Sequence, residues 1–201
     1  MSHHTRRFTL ILGLVLVSSL RALGQSSDSF HFSVWGGANF TNGHVFGYTQ
    51  NRRLVEAGFS WMPLLTTHRK FAVRYRIDAF PAVFLHDLRY APSYQPQPRG
   101  SDWVYAAGIS PVGAELDLTP RSRVQPFFAT TAGFLYFQRK VLAYSETQFQ
   151  FTVCPAIGVR VRTSRKVGLE FGYRYRHISN ANIYRANPGV DAQILYGGLS
   201  F

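Results

Sequence analysis

Cysteine and acidic residues are scarce in this chain. It has one cysteine, Cys154, and 22 lysines and arginines against 10 aspartates and glutamates, so its formal net charge is +12. A single thiol excludes an intramolecular disulfide and a cysteine-rich metal site, and we expect Cys154 to be a small buried residue. The basic balance favours an anionic partner, either a nucleic acid or a membrane surface.

Motifs for cofactors are also lacking. The sequence contains no glycine-rich phosphate loop, no nucleotide-binding fingerprint and no paired-cysteine motif. His31, His44, His68 and His86 are scattered and lack the spacing of metal ligands. We therefore expect neither a metal nor a nucleotide cofactor.

Long hydrophobic runs are absent after the N-terminus. Phe8 to Leu20 is an apolar run of 13 residues, too short for a helix that spans a bilayer, which takes about 20 residues. Two arginines precede it and a small-x-small sequence at 22–24 follows it, an order typical of a signal peptide. We predict that residues 1–24 are removed on export and that 25–201 form one domain. Export makes anionic lipid headgroups a better partner than nucleic acid.

In place of long apolar runs, the chain has alternation. In 71–79, for example, apolar side chains at odd positions alternate with a set that contains Arg74, Arg76 and Asp78. A period of two is typical of strands whose faces meet different surroundings. Such segments predict eight strands, at about 29–39, 52–63, 70–81, 103–118, 124–138, 148–162, 167–180 and 191–201. The first and fifth are apolar on both faces, so their facing is left open.

The predicted connections alternate between short turns and longer loops. The longer ones are about 40–51, 82–102, 139–147 and 181–190. Alternating strands with short turns at one end and long loops at the other are the signature of an outer-membrane barrel. We therefore predict an all-β fold, an eight-stranded antiparallel up-and-down transmembrane β-barrel in the bacterial outer membrane. The alternative is a soluble sandwich or a lipocalin-like barrel.

The charged faces of these strands contain acids and arginines in similar number. In a membrane barrel they would point inward, where eight strands leave room only for side chains. We therefore expect a plugged barrel with an ion-paired interior. The residues are Glu56, Asp78, Glu115, Asp117 and Glu170, with Arg74, Arg76, Arg160, Arg162, Arg174 and Arg176.

The seventh predicted strand ends with His177 and Ser179 on its apolar face, the face that would meet lipid. A serine hydroxyl needs a base to take its proton before it attacks an ester, and the base needs a third group to orient it. Asp191 opens the eighth strand on the same parity as its apolar residues. The pattern predicts an enzyme for a lipid ester, with Ser179 as nucleophile, His177 as base and Asp191 as orienting acid.

The same residues carry a resemblance. His177-Ile178-Ser179-Asn180-Ala181, followed by Asn187-Pro188-Gly189 and an acid at 191, resembles the lipid A 3-O-deacylase family (PagL-type, acyloxyacyl hydrolase-like). The motif lies within about 170–201. The resemblance implies an outer-membrane serine esterase that removes the 3-O-linked acyl chain of lipid A and so remodels lipopolysaccharide. It gives the triad the same roles, although the family's usual acid is glutamate.

Further residues are candidates for substrate contacts. An oxyanion hole needs donors aimed at the developing charge, and Asn180, Ala181 and Asn182 are the candidates, although Asn180 is equally interpretable as a turn residue. Lipid A phosphates would suit the basic residues near the long loops: Arg139, Lys140, Arg176 and Arg185. For Arg176 the alternative is a structural ion pair.

Two other functions stay open from the sequence. One is a non-catalytic barrel with an adhesive or structural role. The other is an acyl hydrolase that acts on phospholipids. A lipid-facing surface can also form a dimer, so a homodimer is a possible assembly.

Overall fold

The computed structural model describes residues 31–90, 98–142, 147–184 and 186–201. The predicted signal peptide, residues 1–24, lies outside them. Within the described ranges, no helix is long and apolar enough to cross a membrane. The regular elements are β1 (Phe32–Asn42), β2 (Arg53–Trp61), β3 (Leu64–Thr67), β4 (Phe71–Tyr75), β5 (Ile77–Tyr90), β6 (Pro98–Leu118), β7 (Val124–Phe137), β8 (Phe149–Arg162), β9 (Gly168–Ser179) and β10 (Val190–Ser200).

These segments form one closed antiparallel barrel of eight strands. β2 and β3 are two parts of one barrel strand, and β4 and β5 are two parts of another, interrupted at Arg76. Successive barrel strands pair with each other, and β1 pairs with β10 to close the barrel. The predicted eight-stranded up-and-down barrel is confirmed.

Charged side chains fill the barrel interior. Arg160 is one centre of the network, since its guanidinium contacts Glu115 and Asp117 at 2.7 Å each and Glu170 at 3.0 Å. The Arg176 Nε atom lies 2.7 Å from Glu56 Oε2. The predicted interior is confirmed for residues that are at most 2% exposed: Glu56, Arg74, Arg76, Asp78, Glu115, Asp117, Arg160, Glu170, Arg174 and Arg176.

Arg162 departs from this prediction. It lies at the end of β8 beside a short turn, where it is only half-buried, and one of its amino groups donates to the Pro120 carbonyl at 3.4 Å. Cys154, by contrast, is 2% exposed, as expected for a small buried residue.

The outer face is apolar. Phe59, Phe128, Ile157, Phe171 and Leu195 are each more than half exposed. Charges inside and apolar side chains outside are the polarity of a barrel in lipid. The sequence left undecided which faces of β1 and β7 point inward. The structure shows that the inward residues include Trp35 on β1 and Phe127 on β7.

The predicted long loop at 82–102 is wrong. β5 continues to Tyr90 and β6 begins at Pro98. Residues 83–89 still alternate, but an aspartate stands at an inward position where the sequence suggested a loop. Asp87 is 1% exposed because Arg52 Nε donates to its Oδ1 at 2.6 Å. The ion pair with Arg52, which directly precedes β2, satisfies this buried carboxylate inside the barrel wall.

We expect Arg160→Met to destabilise the barrel. The change removes one cation from three buried carboxylates, and breaking a buried pair costs about 3–5 kcal/mol. Urea unfolding in detergent micelles, followed by tryptophan fluorescence, measures the difference. Arg121→Met is the matched control, because Arg121 is exposed in a short turn. Equal midpoints for the two variants would contradict a stabilising role for the network.

Candidate active site

His177 and Asp191 form a hydrogen-bonded pair at the long-loop end of the barrel. Asp191 at the start of β10 is the register partner of His177 near the end of β9. His177 Nδ1 lies 2.7 Å from Asp191 Oδ1. The His177 side chain is 17% exposed and that of Asp191 is fully buried. The carboxylate therefore fixes the ring and leaves Nε2 as the nitrogen that can accept a proton.

Ser179 stands two residues after His177 in β9. Alternate residues of a strand share a face, with Cα atoms about 6–7 Å apart. Across the neighbouring β8, His177 pairs with Val153 and Ser179 with Phe151. Val153 is 48% exposed on the outer face, so both side chains lie on the barrel exterior. His177 contacts Asp191 on this face, and Ser179, which is 6% exposed, is its neighbour along the same strand face.

The loop segment 43–49, which follows β1, holds the other oxygen of Asp191. The backbone amides of Val45, Phe46 and Gly47 donate to Asp191 Oδ2 at 2.8, 2.8 and 2.9 Å. Three such bonds stabilise an ionised carboxylate. They also fix its orientation, so that Oδ1 points to His177. Segment 43–49 is therefore part of the site, although backbone donors leave no residue-specific signal in a sequence.

Two glycines let this segment approach the pair. A Cβ at Gly47 would lie 2.9 Å from the Gly189 carbonyl carbon and 3.0 Å from Asp191 Oδ1. A Cβ at Gly189 would lie 3.0 Å from His177 Cε1, and Gly189 has a φ of +51°. Larger residues would push the segment away from Asp191.

Phe46 packs against the catalytic candidates from outside. Its ring centroid lies 5.6 Å from that of His177, in an edge-to-face arrangement. Phe46 is nevertheless 66% exposed, and the neighbouring Val45 and Tyr48 are 68% and 80% exposed. The segment thus covers the imidazole on one side and presents apolar groups outward, which suits a site that receives an acyl chain.

The oxyanion candidates lie in the turn that follows β9. The Asn180 side-chain amide donates to the Ala186 carbonyl at 2.7 Å, and its Oδ1 accepts from the Asn182 amide at 3.0 Å. The Asn180 backbone amide donates to Asn187 Oδ1 at 3.0 Å. Ala181 and Asn182 have φ values of 53° and 60°. These contacts favour the turn interpretation of Asn180, and an oxyanion role for the three residues stays a prediction.

The basic residues predicted near the headgroups have different surroundings. The prediction that Arg176 contacts a phosphate is wrong, since Arg176 is fully buried and paired with Glu56. Arg139 pairs with Asp102 at 2.5 Å, and Lys140 is exposed. Arg185 lies outside the described residues. Within the described chain, no cluster of three histidine, cysteine, aspartate or glutamate side chains is arranged to hold a metal ion.

Comparisons with known proteins agree with this architecture. The sequence model of the lipid A 3-O-deacylase (PagL) family matches residues 69–200, more than half of the chain. A crystal structure of "the outer membrane enzyme PagL" superposes with a TM-score of 0.65 at 14% identity, covering 83% of this chain and 97% of that one. At this identity the superposition shows the fold alone. No curated protein sequence matches the chain.

Two further solved structures are more distant outer-membrane barrels. Neisserial surface protein A has a TM-score of 0.46 at 16% identity, with 87% of this chain and 96% of that chain covered. Ail, the attachment invasion locus protein of Yersinia pestis, has a TM-score of 0.43 at 12% identity, with 86% and 97% covered.

We expect Gly47→Ala to lower the kcat of ester hydrolysis by about 10- to 100-fold, because small displacements of a catalytic group have effects of this size. KM should rise as well, because the displaced segment carries the exposed side chains of Val45, Phe46 and Tyr48. Gly36→Ala is the matched control, since a Cβ there meets only ordinary contacts at 3.6 Å or more. Equal kcat values for the two folded variants would show that segment 43–49 does not position Asp191.

Proposed function

Because this chain belongs to the lipid A 3-O-deacylase (PagL) family, and is therefore a lipid A deacylase of the bacterial outer membrane, we propose that it is a serine esterase. Its triad is Ser179, His177 and Asp191. Its reaction is hydrolysis of the acyl ester at the 3-position of lipid A. The 2.7 Å bond between His177 Nδ1 and Asp191 Oδ1 on the outer face is the observation that carries the proposal.

The position of the triad fits a substrate that stays in the membrane. The three residues lie at the long-loop end, on a surface whose neighbours are apolar and exposed. An acyl chain lying along this surface would bring its ester to the level of Ser179, near the boundary between hydrocarbon and headgroup. The substrate would then reach the enzyme by lateral diffusion, without leaving the bilayer.

The first half of the reaction forms an acyl-enzyme. The Ser179 Oγ attacks the ester carbonyl carbon while His177 Nε2 takes its proton. Asp191 stabilises the imidazolium that results. The tetrahedral intermediate collapses, the bond to the sugar oxygen breaks, and His177 returns the proton to that oxygen. The sugar hydroxyl leaves and the acyl chain remains on Ser179.

The second half releases the fatty acid. A water molecule gives its proton to His177 Nε2 and attacks the acyl-enzyme carbonyl. The second intermediate expels the Ser179 oxygen, which regains its proton from His177. The chemistry consumes one water and yields one sugar hydroxyl and one fatty acid.

Asp191 is proposed as the acid that orients His177, a role that glutamate usually has in the family. Its side chain is one methylene shorter, but β9 and β10 place it directly opposite His177 in the register. The three amides of segment 43–49 bind its other oxygen. Cross-strand pairing and the backbone donors together supply the reach that the shorter side chain lacks.

Lipid A mass spectrometry tests the proposal. In a Gram-negative host whose lipid A keeps its 3-O-linked chains, the wild-type protein should remove one chain from that position, as located by fragmentation. Ser179→Ala should leave lipid A unchanged. Ser122→Ala is the matched control, because Ser122 is exposed in a short turn at the opposite end.

Two outcomes would contradict the proposal. One is deacylation that persists in folded Ser179→Ala, which would exclude Ser179 as nucleophile. The other is an unchanged lipid A profile with folded wild type and a loss of acyl chains from phospholipids, which would favour the phospholipid hydrolase instead.

A further inference from the structure

A concave surface lies on the barrel exterior at the same end as the triad. It is a groove of about 750 Å³ bordered by the upper parts of β1, β2, β5 and β6. Its outward-facing residues include Phe40, Arg53, His86 and Trp103. We call this surface the rim groove. None of its residues takes part in the triad.

Three of these residues form a row across adjacent strands. Arg53 on β2 is the register partner of His86 on β5, and His86 is the partner of Trp103 on β6. The His86 and Trp103 rings contact edge to face, with centroids 5.3 Å apart. Strand pairing therefore places a guanidinium, an imidazole and an indole side by side on a rigid wall.

The Arg53 charge is available to a ligand. Its neighbour Arg52 turns into the barrel and pairs with Asp87, which is 1% exposed. Arg53 has the opposite parity and is exposed. In the described part of the chain, Arg53 has no carboxylate within ion-pair distance. The acid of this region is thus committed to Arg52, and Arg53 is left facing the groove.

The rim groove is within reach of the triad. β1 separates β2 from β10, and His177 is on β9 beside β10. Three strand spacings of about 4.8 Å put Arg53 about 14 Å along the wall from the His177 strand, and His86 and Trp103 lie one and two strands further away. Trp103 is 46% exposed, and outer-membrane barrels carry such aromatic residues at the level of the headgroups.

We propose that the rim groove binds a phosphate group on the sugar headgroup of lipid A, with Arg53 and His86 as the donors and Trp103 as the wall behind them. This rests on the proposed function, since it assigns the headgroup subsite of the same substrate. An arginine beside a second donor suits the several oxygens of a phosphate. Holding the headgroup here would orient the sugar so that one ester, among several, lies at Ser179.

Binding to a catalytically inactive protein tests the subsite. Ser179→Ala is purified in detergent micelles and titrated with lipid A, with dephosphorylated lipid A and with phosphatidylglycerol. Adding Arg53→Gln and His86→Gln should weaken lipid A binding by at least tenfold. It should change binding of dephosphorylated lipid A less than twofold. Adding Arg121→Gln, at the opposite end of the barrel, should change neither.

The other outcomes overturn the proposal in distinct ways. Unchanged lipid A binding would mean that Arg53, His86 and Trp103 do not bind the headgroup and belong only to the band of residues at the membrane interface. An equal loss of affinity for phosphorylated and dephosphorylated lipid A would mean that the groove does not bind the phosphate. A tenfold loss for phosphatidylglycerol as well would mean a site for any anionic lipid.

The readout separates this proposal from the proposed function. Titration of Ser179→Ala measures binding without turnover, so a phosphate-dependent loss stands even if mass spectrometry finds no deacylation. Conversely, the wild type could be active while substitution of Arg53 and His86 leaves lipid A binding unchanged. That result would support the esterase proposal and overturn the phosphate subsite.

Discussion

Ion pairs inside the barrel are the constraint on which the rest of the structure depends. Arginines and carboxylates that are at most 2% exposed occupy inward positions on five of the eight barrel strands, and Arg160 bridges three of the acids. Buried charges must be paired, so each strand that carries them has only one acceptable facing. Because side chains alternate, a slip of one residue would turn every charge to lipid.

The facing of the interior residues determines the facing of the catalytic candidates. Arg174 and Arg176 are held inside, where Arg176 pairs with Glu56. The odd-numbered neighbours on β9, including His177 and Ser179, must then lie outside. Closure of the barrel through β10 adds Asp191 at the register position opposite His177. Segment 43–49 completes the arrangement by binding the second carboxylate oxygen.

Much of this arrangement was predictable from periodicity. Parity alone placed the arginines of β9 inside and His177 outside, and spacing of the turns indicated eight strands. Asp87 shows where periodicity failed: an inward aspartate looks like a loop until its partner Arg52, 35 residues earlier, is known. The amides of segment 43–49 were unpredictable for a related reason, since contact between residues 45–47 and 191 depends on barrel closure.

The central claim is that a nucleophilic serine, activated by His177 and Asp191, lies on the lipid-facing surface. A fluorophosphonate with a long alkyl chain tests it directly in outer membranes, because serine attack on phosphorus displaces fluoride and leaves a stable adduct. Peptide mass spectrometry should locate the adduct on Ser179, and His177→Ala should abolish it. An adduct on a different serine, or equal labelling in the His177→Ala protein, would contradict the account.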